Sequence, residues 1–248
     1  MTTLAARLAG LAATALFLLA ALVATAHDLQ YSARVVLVTA VVGVLAPLFW
    51  PGRASTPRLT ALRILGWSLV ASVLAGVAAM LSGGGMSTFS RTATACAVLF
   101  LVLVVVHSVA AALESLLHSL TRQTESARET AAWLATAALV TLGAAPLWLG
   151  PAAELASASR PLAVDTAVAV SPLTHLAVAS GNDLLRNQWF YQHSNLSGLR
   201  FDYPRLAPLM AAYSLLASAL LIVPAALPAG GRPDARTSRT PSTQEHRS

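Results

Sequence analysis

What most constrains this chain is the recurrence of apolar stretches about as long as a bilayer is thick, separated by short polar connections. Six are legible, at about Leu4–Ala26, Val35–Trp50, Leu59–Leu81, Thr92–Leu117, Ala127–Leu149 and Leu206–Leu227. A helix needs about 20 apolar residues to cross hydrocarbon, and it must satisfy its own backbone while doing so. With 56% hydrophobic and 10% charged residues among 248, the chain is too apolar for an ordinary soluble domain. The expected fold class is therefore all-α: a polytopic integral membrane helical bundle of six transmembrane helices, with a short helical hairpin between spans five and six. Residues 1–229 would form this transmembrane unit. Residues 230–248, rich in Pro, Ser, Thr and Arg and lacking an apolar face, would be a disordered cytoplasmic tail.

Arginine distribution gives the expected orientation. Arg7, Arg53, Arg58, Arg63, Arg122, Arg128 and four arginines of the tail fall on one side, against single arginines, Arg34 and Arg91, in the two short opposite loops. The first side is read as cytoplasmic, with both termini inside and the protein in the plasma (inner) membrane. The net charge of +6 thus serves topology; no basic stripe with interleaved aromatics suggests nucleic acid. The first stretch has two readings: a retained span, which its length favours, or a signal peptide cleaved after Ala24-Thr25-Ala26. A single cysteine, Cys96, excludes an intrachain disulfide and a multi-cysteine metal site.

The segment Ser171–Pro204 is neither a span nor a tail. Ser171-Pro172 reads as an N-cap with proline in the first turn, Gly181-Asn182 as a break, and Asp183 as the cap of a second short helix ending near Ser194. Neither helix can cross a bilayer alone, so the pair either lies in the interface or dips in and returns. Leu173, Leu176 and Ala177 would be its buried face, with Asp183 and Arg186 near water or paired with each other. The connection from Ala152 to Val170 reads as polar. In span three, Ser68, Ser72 and Gly76 make a small-residue face for close helix packing.

Intramembrane polar residues concentrate in span four, where Cys96, His107, Glu114 and His118 share a face. At about 1.5 Å rise per residue they are spread too far along the helix for one metal to be held by the set. Two uses compete for Glu114 and His118. They could supply acid–base or metal chemistry, or Glu114, His118 and Arg122 could form an ion-paired ladder with His107 as a buried hydrogen-bonding residue; the second is favoured. Ser126 to Glu129 reads as a capping box opening span five. His175, Asp183 and Ser180 could suggest hydrolysis, but no nucleophile elbow surrounds any serine, so no enzymatic activity, cofactor or metal is expected.

Six spans, a short basic loop between spans two and three, and two short helices before the last span together resemble the permease subunits of ABC-2 type exporters. The local similarity is Ser171-Pro172-Leu173-Thr174 followed by Asp183-Leu184-Leu185-Arg186. The family's usual opening amphipathic helix has no counterpart in the six residues before Arg7. The resemblance implies a transport role in the lipid bilayer, a second permease copy or paralogue, and a cytoplasmic ATPase subunit. By position, Gly52 to Arg58, including Arg53 and Arg58, would be the loop that couples to the ATPase, and Ser171 to Ser194 would close the exit. The alternatives are a membrane-embedded accessory or assembly protein, or a metalloenzyme using Glu114 and His118.

Overall fold

A computed structural model describes residue 10 and residues 30–82, 88–121, 123–149, 160–186 and 203–226. Among these there are helices and no strands: α1 Tyr31–Leu48, α2 Pro57–Leu81, α3 Phe89–Thr121, α4 Thr124–Gly143, α5 Arg160–Val170, α6 Pro172–Ser180, a 3-10 turn Leu184–Arg186, and α7 Leu206–Ala226. Three of them, α1, α2 and α3, are long and apolar enough to cross a membrane. Their outward faces are as apolar as their inward ones: Leu62, Leu69, Val73 and Val77 of α2 all point away from the bundle. In water such faces would drive aggregation, whereas in hydrocarbon they are the solvated surface. The first expected span and the tail lie outside the described residues, except that Gly10 is helical and sits against the Phe49 ring at the end of α1.

The longest helix, α3, is the post around which α1, α2, α4, α6 and α7 are packed. Small residues let α2 approach it closely. Ser68 and Ser72 are buried, and a Cβ at Gly76 would lie 3.0 Å from Cys96 Sγ. The small-residue face therefore acts as the sequence suggests. The bundle has two ends. At one, the Tyr31 hydroxyl meets Thr92 Oγ1 at 2.9 Å and Arg34 donates to the Ser82 carbonyl. At the other, the loop after α1 folds back over α3 and α4.

Three expectations about boundaries are corrected. Helix α4 begins at Thr124, with Gln123 rather than Ser126 at the N-cap, so Ser126 to Glu129 lies inside the helix and starts nothing. It also stops at Gly143 instead of running to Leu149, because Pro146 lacks an N–H and disfavours helix before it; a separate turn of helix covers 145–149. The connection read as polar contains α5. Val164, Ala167 and Val168, spaced as one helical face, are buried against Leu185 with Leu147, Leu149 and Tyr203 around them.

Helix α6 forms where the sequence places it. Ser171 Oγ accepts from Thr174 N–H at 3.3 Å, Pro172 occupies the first turn, and Gly181 closes the helix at φ +72°. Its environment differs from an interface helix, since Thr174, His175, Leu176, Ala177, Ala179 and Ser180 are all buried and Leu173 is half-buried. The depth follows from its ends. Ser171 Oγ donates to the Gly143 carbonyl at 2.8 Å, and Pro172 shares a cavity of about 220 Å³ with Ala40, Gly43 and Leu99, halfway along the bundle. Asn182 Nδ2 instead donates to Ser32 Oγ at 3.2 Å, and Gly181 lies against Arg91, both at the Tyr31 end. Helix α6 thus runs from mid-bundle at Ser171 to the Tyr31 end, and α5, joined to it at Ser171, packs on α6 and Leu185 beside the main core. The expected hairpin partner beyond Asp183 begins with the Leu184–Arg186 turn; residues 187–200 lie outside the described residues.

Candidate functional site

Two polar constructions stand out in an otherwise apolar bundle, one at each half. The first is centred on Glu114. Its carboxylate accepts from Trp50 Nε1–H at 3.2 Å and from the Arg53 backbone N–H, at 3.2 and 3.1 Å to its two oxygens. The Trp50 ring is fully buried and stacks on His107, with centroids 5.3 Å apart and planes 19° from parallel. His107 Nδ1 in turn meets Ser68 Oγ at 2.9 Å. Ser68, His107, Trp50, Glu114 and the 50–53 loop therefore form one continuous connection from the bundle interior to its end.

The loop itself is fixed from both sides. Arg63 donates to the carbonyls of Gly52 and Arg53 at 2.9 and 3.1 Å. The Thr60 hydroxyl takes the Ala54 N–H at 3.1 Å, and Thr56 caps α2 through Leu59 N–H at 3.3 Å. Gly52 adopts φ +83°, and a Cβ there would stand 2.8 Å from Arg128 Cδ and 3.2 Å from Glu114 Oε1. Only glycine fits that turn without displacing the arginine that roofs it.

The ion-paired ladder is accordingly corrected: Glu114 bonds to the folded-back loop, and no ion pair joins it to His118 among the described residues. His118 Nδ1 is buried without a partner, and Arg122 lies outside the described residues. The Glu114 carboxylate is held instead by charge-assisted hydrogen bonds from Trp50 Nε1–H and the Arg53 N–H. No group of three or more His, Cys, Asp or Glu that could hold a metal occurs among the described residues. Arg58 is exposed beside this loop.

The second construction is on α6. His175 Nδ1 meets the Tyr213 hydroxyl of α7 at 2.8 Å, with the rings edge-on at 78°. The hydrolytic combination is not assembled, because Ser180 Oγ donates to the Ala177 carbonyl at 2.8 Å and Asp183 accepts from the Tyr203 hydroxyl at 2.5 Å. The expected pairing of Asp183 with Arg186 falls on a side chain outside the described residues. Gly52 opens the loop the sequence marks out, whereas the roles of Trp50 and Tyr213 leave no sequence signal: Trp50 is the last residue of an apolar stretch and Tyr213 carries one polar atom in an apolar helix.

No protein-family model, curated protein or solved structure matches the chain.

Proposed function

We propose that the chain is the permease subunit of an ATP-driven, ABC-2-like membrane transporter, a six-span protein of the plasma membrane with both termini in the cytoplasm. It would work beside a second copy or a paralogue. The observation that carries this reading is the short helix α6, set into the bundle from its middle at Ser171 to the Tyr31 end, with α5 packed beside it on α6 and Leu185. Interrupted helices at depth leave backbone groups that a plain anchor would not need, and transporters use such breaks at the pathway. The rigid loop over Glu114 supports the same reading. A loop that receives force from an ATPase must be stiff, and this one is tied to the bundle interior through Trp50 and His107.

The full-length chain, tagged and extracted in mild detergent, is expected to bring down a nucleotide-binding ATPase, and Arg58→Glu should abolish that association without changing the melting temperature. Recovery of cofactor-maturation proteins with no ATPase would contradict the proposal in favour of an assembly factor. Tightly bound metal would contradict it in favour of an enzyme.

A further inference from the structure

Helices α4 and α7 both pack on α3 yet make little contact with each other, which leaves a cleft floored by Val102, Val105 and Val109. Its volume is about 350 Å³, within the range of small-molecule sites. It opens sideways between exposed Leu142 and Leu216, toward what would be hydrocarbon in a bilayer. The junction of α5 and α6 closes one end and contributes His175. No charged side chain lines the cleft; its polar groups are the His175 ring and the Tyr213 hydroxyl, bonded to each other.

That pair has a defined spare capacity. His175 Nε2 is buried with no hydrogen-bond partner. A phenol hydroxyl is a stronger donor than a neutral imidazole N–H, and an imidazole nitrogen a stronger acceptor than a phenol oxygen, so the Tyr213 hydroxyl donates to Nδ1 and the ring proton sits on Nε2. Tyr213 then keeps a free oxygen lone pair but no free proton. A ligand satisfied here must be apolar over its length, uncharged, and a hydrogen-bond donor at one end.

We propose that the cleft binds the hydroxyl-bearing end of an uncharged amphiphile dissolved in the bilayer, with Tyr213 as the acceptor and His175 holding it in orientation. The site stands independently of the transport reading, since binding needs no ATPase. The full-length protein in phosphatidylcholine nanodiscs would be labelled with a diazirine-bearing long-chain alcohol and the adducts mapped by mass spectrometry. Adducts should concentrate on 102–109 and 209–216. Dodecanol should compete about tenfold better than its methyl ether, the equivalent of one good hydrogen bond. Tyr213→Phe should bring the two competitors to parity, and Ala138→Trp should remove the labelling. If Tyr213→Phe fails to fold, the alcohol-to-ether ratio on the natural protein decides alone. Equal competition by both compounds, or labelling spread over outward faces such as 62–77, would each overturn the proposal.

Discussion

Alanine in place of Trp50 is expected to cost about 3–5 kcal/mol, the range for a large aromatic removed from a packed interior. Three losses combine there. The ring is fully buried, so a cavity opens; His107 loses its stacking partner; and Glu114 loses one of its donors. Thermal unfolding in detergent should show a transition lowered by many degrees, and proteolysis should cut first at the loop 51–56. Phenylalanine at Trp50 should recover most of the loss, since it refills the space but does not donate. A Trp50→Ala protein as stable as the natural one would mean that the loop is not anchored to the interior.

Glu114 gives the second large effect, with a sign that separates its two readings. Glu114→Ala removes the acceptor that the Trp50 Nε1–H and the Arg53 N–H share, at about 1–3 kcal/mol for each part-buried hydrogen bond lost. Glu114→Gln keeps one acceptor oxygen and should lose only about 1 kcal/mol. A residue acting as a proton carrier would behave otherwise, because glutamine would abolish activity while the melting temperature stayed unchanged. Comparison of the two variants by melting and by activity distinguishes these outcomes.

The long helices α1, α2 and α3 were legible because they are long and apolar enough to cross a membrane, and α6 because Ser171, Pro172 and Gly181 each fix a backbone conformation locally. Helix α5 was not, although Val164, Ala167 and Val168 already had helical spacing. Arg160 precedes them and Asp165 and Thr166 fall among them, so the polarity of the segment masks its period. The partner of Glu114 was missed for a different reason. Reading along a helix offers only neighbours at i+3 and i+4, while the actual donors arrive from 61 and 64 residues away on a loop reversed by Gly52. Long-range closure of that kind leaves no periodic trace. The depth of α6 was likewise hidden, since its length excludes a crossing but says nothing about whether it is laid on the bundle or set into it.

Accessibility along α6 tests the account most directly. Single cysteines at positions 173 to 182, in a Cys96→Ala background, would be exposed to a membrane-impermeant maleimide applied from the Tyr31 side. The buried set 174–177, 179 and 180 should stay unlabelled, half-buried 173 and 178 should react slowly, and 181, at the helix end beside Arg91, should react fast. Fast labelling with a period near 3.6 would place the helix flat on the surface. Uniform labelling at every position would mean that no helix is set into the bundle, and the account would fail.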